Sequence, residues 1–525
     1  MPLRRLLAAC TALLIAVLPG VGAADPGDIA AASRGVVRVV LIQYDGGPAQ
    51  LVSHGTGFAI APDLVVTNAH VVEDLRGSDA IVAGVVPSEG RGGFAATLVA
   101  YSPQRDLALL KLKPGAALNA LTLFSGAPTD SEEVFAVGYP GNVDMAEGLS
   151  MRDLVSPQAA VKTRGYVSAG RSSRQFDTIL HTAPIGAGNS GGPLLDACGR
   201  VLGVNSFGTV SENTTDSAFY FAVSMRELAA FLQEAGVTAH ASSLPCTSLA
   251  DLDRADAARG AEDQARLATE AEARKAAQAD TAAKAQHQAE LEILAERDNG
   301  LALAAVLLVA AVAAGAAAFA SGQRGGQRGR PRAVRIAGGA AGLLALAAVG
   351  AWLLRPPLSL IDERAKDIVA EALAKAEAGP APSASGAAAD AAEKLVCTLD
   401  AQRSRVTVSD VTDVPLTWAP GGCVNERTQY GLAGDGWSRI LVPQGEATIS
   451  VTHYDPQKRE YTVERFLMGL DAMTAARAAR AKLSAPGCGA NEAAARALGE
   501  AQGTIRAMLP AEPNERLRYN CRPAP

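Results

Sequence analysis

The sequence predicts a multidomain chain: an all-β N-terminal domain, an α-helical stalk, a two-helix transmembrane hairpin and a small disulfide-containing α+β domain at the C-terminus. Three observations predict it. Residues from about 28 to 245 alternate short apolar runs with Gly and Pro turn signals, as in "GVVRVVLIQY" and "EEVFAVGYPG", the texture of a sandwich or barrel. Residues 251–299 are rich in Ala and alternating charge, and two uncharged apolar runs of bilayer length follow them. Six cysteines remain beyond the first 24 residues, and all lie at or after Cys198. At 525 residues the chain exceeds one ordinary core. A net charge of −6 over that length gives no electrostatic case for nucleic acid.

The first 24 residues, "MPLRRLLAACTALLIAVLPGVGAA", combine two arginines, an apolar stretch and small residues, the layout of a signal peptide. "LAAC", ending at Cys10, stands before most of the apolar stretch and is read as a decoy for an acylation box. Residues 28–245 form the β domain. Residues 251–299 are strong helix formers, with Glu262/Arg266, Glu270/Arg274 and Asp280/Lys284 at the i,i+4 spacing of an exposed helix. The first span is 301–320 and the second 336–354. Between them, residues 321–335 carry Arg324, Arg328, Arg330, Arg332 and Arg335 with no acid, which marks a cytoplasmic loop. Both flanking regions are then expected outside the cytoplasm. Gly338 and Gly342 form a GxxxG through which the two helices could approach. Residues 358–390 read as a short helix capped at Ser359, followed by a Pro/Ala/Ser linker.

Residues 391–525 form the last domain, with a hairpin expected to turn at Asp455-Pro456. An even number of cysteines in an exported chain indicates a disulfide framework. Cys198 with Cys246 is the expected first bridge. The other two lie among Cys397, Cys423, Cys488 and Cys521, with Cys397–Cys423 and Cys488–Cys521 as one arrangement. No catalytic constellation is visible in this domain.

The chemistry centres on "HTAPIGAGNSGGPLL", where Ser190 follows Gly188 and Asn189. A serine nucleophile needs a base, a carboxylate to orient that base, and N–H groups for the oxyanion. His70, in "VVTNAHVV", ends one apolar strand, and Asp106, in "YSPQRDLALLKL", heads another. The chain order His70, Asp106, Ser190 is one of the recurrent orders of this triad. The glycines around Ser190 permit a tight turn that can aim the N–H groups of Gly188 and Ser190 at one point. The histidines and cysteines show no metal-ligand spacing, and no cofactor is expected.

"GTGFAI", "TNAHVV", "RDLALLKL", "AVGYPG" and "GNSGGPL" together resemble the trypsin-like, chymotrypsin-fold serine peptidases, most of all the exported bacterial HtrA/Deg-like branch. The resemblance covers about 28–235 and implies a double β-barrel with the site in the cleft between barrels. It implies Ser190 as nucleophile, His70 as general base, Asp106 as its orienting partner, and the Gly188 and Ser190 amides as the oxyanion hole. It places a substrate pocket around Pro184, Ile185, Phe207, Gly208 and Phe221, with Pro184 at the floor position. With no carboxylate there, a small apolar P1 residue is expected. Asn189 stands where digestive members carry an acid, which argues against activation by a freed N-terminus. Nothing after residue 240 resembles a PDZ domain.

Two functions follow. The first is a membrane-anchored serine endopeptidase acting on peptides or unfolded exported and envelope proteins. The alternative is a silent or latent protease-like module serving as an envelope peptide sensor or scaffold. Oligomeric state is not readable from the sequence.

Overall fold

The computed structural model describes residues 26–172, 176–209, 218–323, 331–377, 392–434, 436–484, 486–489 and 491–525. The signal peptide, Arg324, Arg328 and Arg330 of the loop, and the whole of the 378–390 linker lie outside the described residues. The chain divides into two compact units, one formed by residues up to 257 together with those from 388 onward, the other by 258–387.

In the first unit a short helix, α1 (Pro26–Ser33), leads into β1 (Val36–Gln43), β2 (Gln50–Ala61), β3 (Leu64–Thr67), β4 (Ile81–Pro87), β5 (Phe94–Ser102) and β6 (Leu107–Leu112). These strands close into a barrel in the order β1-β2-β3-β6-β5-β4. Val37, Val39, Leu41, Val65 and Leu110 fill its interior. Residues of alternate parity, Val36, Phe58, Val66 and Leu109, point out of it into the seam with a second barrel, as the two-residue period of a strand requires.

The second barrel begins with β7 (Leu123–Phe124) and β8 (Glu133–Gly138), then two short helices, α2 (Gly141–Ala146) and α3 (Met151–Leu154). It continues through β9 (Val161–Ser172), β10 (Asp177–His181), β11 (Pro193–Leu195), β12 (Val201–Gly208) and β13 (Tyr220–Ser224). The order β11-β8-β9-β10-β13-β12 closes on itself through β11–β12, while β7 and β14 (Ala241–Ser242) extend the β12 edge. Helix α4 (Met225–Glu234) buries Leu228, Phe231 and Leu232 in the seam. The predicted all-β double barrel is therefore present.

After the linker, nine strands form one sheet: β15 (Glu393–Leu399), β16 (Val414–Ala419), β17 (Cys423–Val424), β18 (Thr428–Gln429), β19 (Gly431–Ala433), β20 (Gly436–Leu441), β21 (Thr448–Asp455), β22 (Glu460–Leu467) and β23 (Glu515–Pro523). The last strand, β23, inserts between β15 and β22. Helices α8 (Leu470–Ala481) and α9 (Glu492–Arg506) contribute Met473, Ala476 and Ile505 to a core with Ile440, Ile449 and Phe466. A second cluster collects Trp418, Tyr430, Tyr454 and Tyr519. The β21–β22 hairpin turns where expected, with Asp455 Oδ1 accepting the Gln457 and Lys458 N–H groups at 3.0 Å each.

Among the described residues three disulfides are present. Cys198–Cys246 pairs as expected, but the other two are Cys397–Cys521 and Cys423–Cys488, not Cys397–Cys423 and Cys488–Cys521. Strand order is the reason: β15 lies beside β23, and the register places Cys397 directly opposite Cys521. Sequence proximity had favoured the wrong partners.

The C-terminal sheet packs on the barrels through polar groups. Asp28 of α1 pairs with Arg405, each side chain only 2% exposed, and accepts from Asn514 Nδ2 at 2.8 Å. His240 Nε2 lies 3.0 Å from Asp410 Oδ1. A cavity of about 320 Å³ opens between α1 and the sheet, bordered by Arg34, Leu118, Val408 and Arg465.

Helix α5 spans Leu249–Gln323. The change from charged stalk to apolar span at Gly300 falls inside this one helix, which runs through without a break because one glycine weakens a helix by only about 1 kcal/mol. Asp280 and Lys284 pair at 2.7 Å as predicted, whereas Arg266 pairs with Asp263 at 3.1 Å, one turn position from the expected Glu262. Two helices, α5 and α6 (Pro331–Leu353), contain stretches long and apolar enough to cross a membrane, with side chains such as Val306, Val309, Leu343 and Leu346 exposed. Gly338 and Gly342 face open space, and it is Gly315 that approaches Ala341. Ser359 falls inside a 3-10 turn preceding α7 (Ile361–Glu377) rather than at a helix cap. Arg364 of α7 lies 3.4 Å from Glu292 and 3.6 Å from Glu296 of α5.

Candidate active site

Strand β3 ends at Thr67 and hands the chain to His70, the first residue of a 3-10 turn (His70–Arg76). Thr67 Oγ1 donates to the Thr56 carbonyl at 2.7 Å, fixing the end of β3 to β2. Asp106 immediately precedes β6 with φ +52, a left-handed conformation that aspartate tolerates better than most residues. Asn68 Nδ2 holds the Asp106 carbonyl at 2.7 Å. The two strand ends therefore bring His70 Nδ1 to 2.9 and 3.0 Å from the two Asp106 oxygens. The His70 backbone N–H donates to Oδ1 at 3.2 Å, and Ser206 Oγ donates to Oδ2 at 2.5 Å. An ionised carboxylate only accepts, so this arrangement puts the imidazole proton on Nδ1 and leaves the Nε2 lone pair outward. The His70 side chain is 46% exposed and open to the cleft.

Ser190 stands on the turn before β11. Its Oγ donates to the Ser206 carbonyl at 3.0 Å; among the described residues no hydrogen bond joins it to His70. Ser206 thus touches both partners, through its carbonyl to Ser190 and through its hydroxyl to Asp106. Sequence reasoning did not find Ser206, or Thr56 below. Their only signal is position, each a hydroxyl on an otherwise apolar strand ("VNSFG", "HGTGFAI").

The turn 186–190 is anchored carbonyl by carbonyl. Ala187 O accepts from Gly141 N at 2.8 Å, Gly188 O from Thr56 Oγ1 at 2.6 Å, and Asn189 O from Gly192 N at 3.0 Å. In a planar trans peptide the N–H points opposite to the C=O, so the Gly188 and Ser190 N–H groups both face away from these anchors. Among the described residues neither has a protein acceptor, while the Asn189 N–H is used by Gly186 O at 3.0 Å. Gly188 has φ +97, and a Cβ there would lie 2.4 Å from the Tyr139 carbonyl, so only glycine fits.

Comparison with known proteins matches this region to the trypsin-like peptidase domain over residues 55–204. Residues 55–204 are a trypsin-like peptidase domain. The chain is 33% identical over 160 residues to the magnetosome formation protease MamE of Paramagnetospirillum magneticum, covering 29% of this chain and 20% of that protein. It is 33% identical over 214 residues to serine protease Rv3671c of Mycobacterium tuberculosis, covering 40% and 49%. With serine protease HTRA4 of Homo sapiens the identity is 31% over 156 residues, covering 29% and 30%. The chain spans between a fifth and a half of the length of these relatives.

On β12 and β13, Phe207 and Phe221 are cross-strand neighbours whose rings stack at 4.8 Å. Phe207 is 42% exposed and Gly208 lies beside the Tyr220 ring. Ile185 is half-buried against the second barrel's core. Pro184 is exposed, its carbonyl accepting from Thr163 Oγ1 at 2.6 Å. Behind the serine turn His181 is fully buried beside Asn205, and burial pushes its pKa down to about 4. Neither His181 nitrogen completes a hydrogen bond of good geometry among the described residues. Among those residues no group of three or more His, Cys, Asp or Glu could hold a metal ion.

Proposed function

We propose that this chain is a membrane-anchored serine endopeptidase that cleaves exported or envelope proteins. Ser190 Oγ is the nucleophile, His70 Nε2 the general base, and Asp106 holds the imidazole in the Nδ1–H tautomer and stabilises its cation. Ser190 turns from the Ser206 carbonyl toward His70 and attacks the scissile carbonyl carbon as its proton passes to Nε2. The developing oxyanion is met by the Gly188 and Ser190 N–H groups. His70 returns the proton to the leaving amine. Water, activated by the same imidazole, then hydrolyses the acyl-enzyme and restores the Ser190 hydroxyl. The observation that carries this reading is the bridge through Ser206 and Asp106, which ties the serine and the imidazole to one carboxylate with two peptide N–H groups left free beside it.

The stacked Phe207–Phe221 wall and the absence of a carboxylate at Pro184 support small apolar P1 residues. The two apolar helices and the Arg-rich connection between them support a cytoplasmic loop, with the peptidase domain and the C-terminal sheet both on the periplasmic side of the inner membrane. Three disulfides accord with an oxidising compartment.

The test is labelling of the full-length protein by a fluorophosphonate probe with Ser190→Ala as control. Labelling that the substitution abolishes is expected. A folded protein that does not label favours the latent peptide-binding reading, for which the Ser190 hydroxyl resting on Ser206 is the structural argument.

A further inference from the structure

His54 lies directly behind the serine turn, and nothing in the catalytic scheme uses it. On β2 it faces Val40 of β1 in the strand register, with its side chain 20% exposed. Its Nε2 is buried and 3.4 Å from Asp144 Oδ2, and neither atom completes a hydrogen bond of good geometry among the described residues. The other Asp144 oxygen is held by Arg38 Nη2 at 2.8 Å. Arg38 also reaches Gln158 Oε1 at 3.2 Å and lies over the Tyr139 ring at 4.8 Å.

This cluster is built into the support of the oxyanion turn. Asp144 belongs to α2, whose first residue, Gly141, supplies the N–H that holds the Ala187 carbonyl. A Cβ on Gly141 would meet His54 Cε1 at 3.3 Å, and one on Gly188 would meet His54 Nε2 at 2.9 Å. The imidazole edge is therefore the back wall against which both glycines rest. If Gly141 shifts, the Ala187 carbonyl loses its donor and the peptide carrying the Gly188 N–H is free to rotate.

We propose that His54 is a positioning residue for the oxyanion hole, bracing Gly141 and Gly188 through Asp144 and tightening that brace when it is protonated. The proposal rests on the reading of Ser190 as the nucleophile. A proton on Nε2 turns the contact with Asp144 into a charge-assisted hydrogen bond. The charged groups facing the ring are Arg38 from β1 and Asp144 from α2. Tyr139 contributes its backbone carbonyl, and the 186–189 turn contributes only peptide groups. Burial, and then Arg38, hold the His54 pKa below the ordinary histidine value against the opposing pull of Asp144 and the Tyr139 carbonyl. The brace is thus loose at neutral pH and firm in acid.

Peptide hydrolysis by the full-length protein is compared across pH for the parent, His54→Gln and His54→Phe. His54→Phe keeps the bulk and loses the polar contact. Its kcat is expected to fall about tenfold with KM unchanged, less than the loss from deleting an oxyanion donor outright. His54→Gln keeps a donor that does not titrate, so the parent-to-variant ratio of kcat is expected to rise severalfold from about pH 8 to about pH 5. A flat ratio, or loss in KM rather than kcat, overturns the proposal. If the parent shows no serine-dependent turnover, the catalytic reading fails first, and an independent readout decides this one. The Gly188 amide resonance of the parent, in protein labelled with 15N-glycine, should follow the titration of the His54 ring and stop doing so in Asp144→Asn. An unresponsive Gly188 amide overturns the brace.

Discussion

The double barrel and the C-terminal sheet are both built mainly of antiparallel strands and both carry disulfides, yet they place their buried polar groups differently. In the barrels, Asp106, Ser206, Thr56 and Asn68 converge on one cleft and leave a lone pair at His70 and two N–H groups unspent. In the C-terminal sheet, Glu515 is fully buried and consumed within its own domain, accepting from the Thr407, Val408 and Ser409 N–H groups at 2.8 to 3.1 Å. Arg405 is spent on Asp28 of α1. The cleft keeps hydrogen-bonding capacity in reserve at an open surface, whereas the Glu515 carboxylate spends its own on the backbone beside it.

That contrast is broken most severely at Ser190. Ser190→Ala is expected to lower peptide hydrolysis by about 10⁴-fold or more while the thermal transition of the protein stays in place. Residual turnover within about tenfold of the parent would return the barrels to the same structural category as the sheet. The next largest effect lies on the other side. Arg405→Met strands the Asp28 carboxylate beside Asn514 in a buried site, a loss of about 3–5 kcal/mol when one partner of such a pair is removed. The double variant Asp28→Leu/Arg405→Met should recover most of it. Calorimetry checks both. If the single variant unfolds with the parent, the Asp28–Arg405 contact is not what holds the sheet to α1.

The barrels were legible in sequence because their information is local. A glycine-punctuated turn such as "GAGNSGG", or a histidine closing an apolar strand, carries its meaning within ten residues, and the order of the motifs supplied the rest. Ser206 and Thr56 escaped because a hydroxyl on a strand has no local signature; only closure of the barrel brings Ser206 to Asp106, 100 residues earlier in the chain. The C-terminal disulfides failed for the same reason on a larger scale. Cys397 and Cys521 are separated by 124 residues, and their pairing depends on β23 inserting between β15 and β22. No spacing rule predicts an insertion of that kind. At Gly300 the composition changes sharply while the helix runs on, because a shift from charged to apolar residues is a change of surroundings and not of backbone.

The smallest of the expected effects sharpens the comparison inside the barrels themselves, where one polar group is neither spent nor offered to the cleft. His181 is fully buried between β9 and β13, near the Tyr220 ring at 5.9 Å, and its pKa is pushed down to about 4 by burial. In the unfolded chain a histidine takes its proton near pH 6.5. Between those two values the unfolded state binds more protons than the folded one, so stability rises with pH across the window. The His181 contribution is present in full above about pH 6.5 and is lost progressively as the pH falls toward about 4, amounting to about 3 kcal/mol in all. His181→Gln removes the titration and keeps a polar group beside Asn205. The variant should be the less stable protein at neutral pH, and its Tm should fall less steeply on acidification, so that the gap between the two curves narrows in acid. Parallel curves would mean that His181 is hydrated or protonated in the folded barrel, and that this group, like His70, has access to water.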